Sequence, residues 1–198
     1  MAIDQIHDLQ QVYRKLLHSM SRPGTISDLE QEATQLDYEL PCKKSTMLCA
    51  MALLDAEVTF HILPGNDQGL SEKISEYTSA RYASVDQADF IIILENDSEE
   101  TVLQAMQQCK IGTLIDPQLS STWIFESGQL AEDGNLVLSG PGIQNHSRLH
   151  AGIPAAFWEV RNSRIKEYPV GVDLIFVDDA SQIACMPRTT RVIAKEVE

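Results

Sequence analysis

Between Asp89 and Glu95 the chain reads Phe90-Ile91-Ile92-Ile93-Leu94, five apolar residues with no polar alternate. Successive side chains of a strand point to opposite faces, so a strand of this composition leaves neither face for water. It belongs in the middle of a sheet covered on both sides. The neighbouring segments supply covers. Met47, Leu48, Met51, Leu53 and Leu54 give the broad apolar face of a helix that Ser45 or Thr46 can cap. Val58-Thr59-Phe60-His61-Ile62, ended by Pro64-Gly65, reads as a strand, and a helix from about Gln68 to Ala80 carries Leu70, Ile74 and Tyr77. Beyond the apolar run, Asp97 with Glu100 makes a capping-box-like start for a helix with Val102, Leu103 and Met106, which Gly112 closes. Strand and helix alternate, which predicts an α/β layered domain with a mixed sheet flanked by helices.

On the amino-terminal side, Ile6, Leu9, Tyr13, Leu16, Leu17 and Met20 recur at three- and four-residue steps, predicting an amphipathic helix capped by Asp4. Ser21-Arg22-Pro23-Gly24 stops it, a short extended run follows from Thr25 to Leu29, and the polar stretch Glu30 to Leu40 reads as a surface connection. On the carboxyl side, Thr122-Trp123-Ile124-Phe125 and Asn135-Leu136-Val137-Leu138 are two short strands, separated by Gly128 and Gly134 and expected to be antiparallel. A last helix spans about Ile153 to Ile165.

The stretch from Tyr168 to Thr190 holds two apolar runs, Val172 to Val177 and Ile183 to Met186, joined by the turn signal Asp178-Asp179-Ala180-Ser181. It predicts a hairpin. Asp173 sits among apolar residues and needs hydrogen-bond donors there. Pro187-Arg188-Thr189-Thr190 supplies a guanidinium and two hydroxyls, donors suited to an oxyanion or a carboxylate. Two readings follow: Asp173 and Arg188 lock the hairpin, or they serve as base and anion clamp. Gly140 and Gly142, in Ser139-Gly140-Pro141-Gly142-Ile143, make a turn whose amides can approach a phosphate, and Arg22 is a further phosphate candidate. Strand-end loops on one edge of an α/β sheet tend to converge where ligands bind, so Arg188 and the glycine turn are expected close together. His146 and His150 can share a helix face, but no third ligand is visible, and no metal is expected.

The 198 residues suit one domain spanning 1–198. Fifteen basic against 29 acidic residues leave a net charge of −14, which argues against nucleic acid and anionic membrane as partners. No apolar run reaches about 18 residues and no signal peptide is visible, so the expected location is cytoplasmic. Cys42, Cys49, Cys109 and Cys185 lack CxxC spacing and are expected as free thiols.

The blocks Tyr13 to Ile26 (YRKLLHSMSRPGTI), Leu138 to Ile143 (LSGPGI), Tyr168 to Asp179 (YPVGVDLIFVDD) and Met186 to Thr190 (MPRTT) together resemble the PhnH family of the bacterial carbon–phosphorus lyase system. They occur in order over almost the whole chain. The resemblance implies a fold akin to the large domain of pyridoxal-phosphate-dependent transferases, a homodimer, and a place beside PhnG, PhnI and PhnJ in a core complex. It further implies that the subunit supports, with PhnG, PhnI and PhnL, displacement of adenine from ATP by methylphosphonate, giving α-D-ribose 1-methylphosphonate 5-triphosphate. Fold alone does not carry a cofactor with it. None of the seven lysines has the apolar strand-end setting of a Schiff base, so no cofactor is expected in this subunit. A positioning and assembly subunit is one expectation; a self-sufficient nucleotide- or phosphate-ester-handling enzyme using Asp173 and Arg188 is the alternative. Trp123, Phe157 and Trp158 are aromatics that either an interface or a core would use.

Overall fold

In a computed structural model, residues 6–37, 40–63 and 69–194 are described. In chain order the elements are α1 (His7–Ser21), β1 (Ile26–Asp28), α2 (Glu30–Ala33), α3 (Lys44–Leu53), β2 (Thr59–Ile62), α4 (Leu70–Thr78), β3 (Arg81–Tyr82) and β4 (Phe90–Ile93). There follow α5 (Glu99–Gln108), β5 (Thr122–Glu126), β6 (Ala131–Ser139), β7 (Ser147–His150), α6 (Ala155–Arg164), β8 (Asp173–Val177), β9 (Gln182–Met186) and β10 (Arg191–Ala194). A seven-stranded sheet has the order β1-β9-β8-β5-β4-β2-β3, and a separate three-stranded sheet the order β10-β6-β7.

The apolar run lies where its composition demands. β4 sits between β2 and β5, parallel to both, and β8 continues the parallel set on the far side of β5. Alternation then sorts its side chains. Ile92 and Leu94 join Phe60, Ile62, Ile124, Ile175 and Val177 under α1, α3 and α4. Ile91 and Ile93 join Trp123, Phe125, Leu174 and Phe176 under α5, α6 and the small sheet. The molecule is therefore layered, with a mixed sheet between two covers. The predicted hairpin is β8 and β9, paired antiparallel. Asp178 shapes its turn, accepting from the amides of Gln182 at 2.8 Å and Leu130 at 3.2 Å.

Several local expectations are corrected. β5 and β6 do not pair; β5 is buried on both faces and belongs to the large sheet, while β6 pairs with β7 and β10. The stretch after Glu30 is no simple surface connection. It forms α2, with Leu29 before it, Ala33 in it and Leu36 after it all buried, and Lys15 grips the buried Glu32 at 2.7 Å. Ser45 and Thr46 lie inside the first turn of α3, which has no side-chain cap. Ser98, not Asp97, caps α5 by accepting from Thr101 N, while Asp97 turns back to the amide of Leu94 at 2.8 Å. α5 ends at Gln108, short of Gly112. HSRLH runs into a strand, so His146 and His150 stand roughly 13 Å apart along the chain rather than on a helix face. Trp123 and Trp158 are core residues, at 0% and 1% exposure, and Phe157 packs with them. The Asp4 cap, the Pro64-Gly65 turn and the Gln68 start fall outside the described residues.

Candidate functional site

Antiparallel pairing of Leu174 with Met186 brings the start of β8 beside the exit of β9. Asp173 and Arg188 meet there. Asp173 Oδ1 accepts from the backbone N of Arg188 at 2.7 Å and from its Nε at 3.2 Å, while Oδ2 accepts from Nη2. Nη1 donates to the carbonyl of Pro117, which ties the 113–119 loop to the hairpin. The two side chains are only 18% and 16% exposed. A general base needs its carboxylate open to a substrate proton. Here both oxygens are occupied by donors of Arg188, the geometry of a lock on the hairpin.

The loops from β6 and β9 do converge. A Cβ added at Gly140 would lie 3.0 Å from Thr189 O, and one at Gly142 would lie 2.4 Å from Ser21 O, with both glycines at positive φ. The turn is thus wedged between the β9–β10 connection and the end of α1, a position that only glycine fits. The edge is not the one expected, however. Because β9 runs against β8, these residues lie at the amino ends of the parallel strands, whereas open α/β sheets bind ligands at the carboxyl ends. Arg22 lies between Ser21 and Pro23, the two residues that press on Gly142, but its side chain is exposed, with Nη1 2.8 Å from His18 Nδ1.

Arg188, Thr189 and Thr190 also line a recess of about 270 Å³, shared with Arg161, Asn162 and Lys166 of the α6 end and with Arg191. Arg161 escaped the sequence reading. It falls four residues after Phe157 and three after Trp158, on the apolar face of α6, and is 1% exposed. A charged residue in register with an apolar helical stripe is the signal that marks it.

At the opposite edge a second recess of about 320 Å³ lies over the carboxyl ends of β4 and β5, lined by Glu95, Asp97, Glu99 and Glu126 among apolar residues. Glu126 is buried, accepting from Lys43 N at 2.5 Å, Thr46 Oγ1 at 2.8 Å and Glu95 N at 3.3 Å. Burial nevertheless raises its carboxyl above the ordinary 4.5, outweighing those donors. The folded chain therefore holds this proton more tightly than the unfolded chain does. The stability so contributed is complete below the unfolded value and is lost as pH rises through the raised folded value. Urea melts of wild type and Glu126→Gln from about pH 4 to 8 should show the wild type's relative stability falling with pH, then levelling; a constant or rising difference would contradict this. Burial also pushes the thiols of Cys42 and Cys49 up to about 12, which makes them inert as nucleophiles. Among the described residues no three His, Cys, Asp or Glu side chains group as a metal site.

Comparison with known proteins adds the following. Residues 2–193 match the family described as bacterial phosphonate metabolism protein (PhnH). A protein of Stutzerimonas stutzeri named as a C-P lyase subunit, HtxG, is 28% identical over 94% of this chain and 86% of its own length. The Rhizobium meliloti protein named alpha-D-ribose 1-methylphosphonate 5-triphosphate synthase subunit PhnH is 25% identical over 95% of this chain and 92% of its own.

Proposed function

The chain belongs to the PhnH family of bacterial phosphonate metabolism proteins, and from that premise we propose that it is a subunit of the carbon–phosphorus lyase core complex. It is needed there, with PhnG, PhnI and PhnL, to form α-D-ribose 1-methylphosphonate 5-triphosphate from ATP and methylphosphonate, a transferase reaction of the cytoplasm. The observation that carries this reading is the match of relatives so named over nearly the full length of both chains. Its part is positioning and assembly. The closed Asp173–Arg188 pair supports that view, since it holds chain segments together rather than facing a reactant. Among the described residues no helix is long and apolar enough to cross a membrane.

The fold relation to pyridoxal-phosphate-dependent transferases that the family resemblance implies is proposed to come without the cofactor. Lys15, Lys43 and Lys110 are tied to Glu32, Asp179 and Asp89, and a lysine held by carboxylates is a poor Schiff-base former. For Lys43, burial opposes the charge, yet Asp179 and Glu95 hold its pKa above the ordinary value. Absorbance at the Schiff-base band in the purified protein would contradict this.

The homodimer, and docking to PhnG, PhnI and PhnJ, need an apolar surface, and with Trp123 and Trp158 in the core it must come from elsewhere. Tyr13 and Leu17 of α1 and Leu114, Ile115 and Leu119 of the 113–119 loop are all exposed, Ile115 at 89%. The two groups flank the Asp173–Arg188 pair: Asp173 lines a groove with Tyr13 and Leu17, and Arg188 holds Pro117. This is the face we assign to a second copy of the chain. A stable dimer should bury well over ~1,000 Å² there. In sedimentation at micromolar concentration, Leu17→Asp with Ile115→Asp should run at 22.1 kDa while wild type runs at twice that. Wild type at the monomer mass would remove the dimer, and failure to co-purify with PhnG, PhnI and PhnJ would remove the complex.

A further inference from the structure

We propose that the recess between the end of α6 and the β9–β10 connection binds a dianionic tetrahedral oxyanion, the group shared by phosphate, a phosphonate and the terminal phosphate of a nucleotide. Arg161 is the reason. Its side chain is buried, yet among the described residues no carboxylate bonds to it. Among the described residues its Nη1 and Nη2 make only long contacts of 3.3 Å, to Asn162 Oδ1 and Thr190 O, and its Nε has no partner. The Trp158 ring, 6.0 Å from its Cζ, is the nearest further support. Asp173 is the carboxylate whose field it feels, and Arg188 already occupies that group.

A guanidinium in the last turn of α6 suits the negative end of the helix dipole. That explains a cation at this height of the helix, but not one withdrawn from water with an unmet donor, which is a costly arrangement. The second unmet atom is beside it. Thr190 Oγ1 is also buried without a partner among the described residues, and Thr190 lines the same recess. Both residues line the recess, and an unmet guanidinium N–H with an unmet hydroxyl matches two oxygens of one anion.

The rim agrees with the floor. Arg188, Arg191, Lys166 and the Thr189 hydroxyl complete the lining, and no acidic residue contributes to it. Lys166 and Arg191 are exposed, and among the described residues neither pairs with a carboxylate. In a chain of net charge −14, three cations with no carboxylate partner among the described residues, Arg161, Lys166 and Arg191, make a local reversal of sign. The recess at the carboxyl ends of the strands, with its four acidic residues, would repel the same ligand. At about 270 Å³ the basic recess takes the anionic group, and whatever that group is attached to stays outside.

The test is binding to the purified full-length chain by calorimetry and thermal shift at fixed ionic strength, using inorganic phosphate, methylphosphonate and ATP as separate probes. At least one should bind and raise the melting temperature. Arg161→Met should abolish that rise, and its own melting temperature without ligand should be unchanged or higher, because an apolar side chain replaces an unpaired buried charge. Thr190→Val, which keeps the shape, should weaken binding roughly tenfold or more, the worth of a hydrogen bond to a charged group. Equal affinity for phosphate and methylphosphonate would mark the group itself as the ligand, and much tighter ATP binding would mark a nucleotide's terminal phosphate. Binding that persists undiminished in both variants, or no binding of any probe by wild type, overturns the proposal. The readout needs no other subunit, so its failure leaves the role in the complex standing, and loss of that role leaves this readout intact.

Discussion

Replacing Asp173 with alanine is expected to lower the unfolding free energy by about 3–5 kcal/mol, the loss seen when one partner of a mostly buried ion pair is removed. The variant loses three hydrogen bonds at once and leaves the Arg188 guanidinium, 18% exposed, without its counter-charge. The consequence reaches beyond the hairpin, because Arg188 also holds the 113–119 loop through Pro117. Removing both charges, as Asp173→Leu with Arg188→Met, should cost less than the single change, since no ion is stranded. Denaturant melts of wild type, Asp173→Leu, Arg188→Met and the double variant measure the difference. A double variant as unstable as the sum of the singles would mean that the pair does not act as a unit.

Trp123→Ala should be comparably severe, about 3–5 kcal/mol. Trp123 lies at 0% exposure in β5, its ring centroid 5.9 Å from Phe125 and 6.0 Å from Phe157, and its Nε1 donates to Ser121 at 3.0 Å. Alanine leaves a void among side chains of the sheet and α6 that cannot move together to fill it, and it removes the N–H donor that Ser121 Oγ accepts from. Against a typical domain stability of roughly 5–15 kcal/mol, such a loss brings the chain near the edge of folding. Trp123→Phe, which keeps most of the volume, should cost less than half as much, and equal losses in the two variants would place the effect in the hydrogen bond instead.

What could be read from the sequence was whatever a single segment decides. The run Phe90 to Leu94 demands two apolar neighbours and finds them as β2 and β5. The spacing of α1, the hairpin from Asp173 to Met186 and the attraction between Asp173 and Arg188 are likewise local, or separated by one turn. The pairing of β5 was not local. Its apolar faces declare burial, but a partner such as β8 lies some fifty residues on, beyond an intervening hairpin, and the nearer β6 looked sufficient. Glu126 is another case, for its donors come from Lys43 and Thr46, 83 and 80 positions away. The candidate site divides the same way. Arg188, Thr189 and Thr190 are legible as a cluster of donors, but Thr189 and Thr190 reach Gly140 through the small sheet, in which β10 pairs with β6. Arg161 is hidden in the sequence because an arginine in the apolar stripe of α6 counts as an interruption; only the fold brings it to Thr190.

The most direct test of the subunit role is reconstitution. Purified PhnG, PhnI and PhnL are incubated with ATP and methylphosphonate, with and without this chain, and release of adenine is followed. The account predicts adenine and α-D-ribose 1-methylphosphonate 5-triphosphate only when the chain joins the other three, and none from the chain alone. Adenine released by the chain alone, or at an undiminished rate by the three proteins without it, would contradict the account.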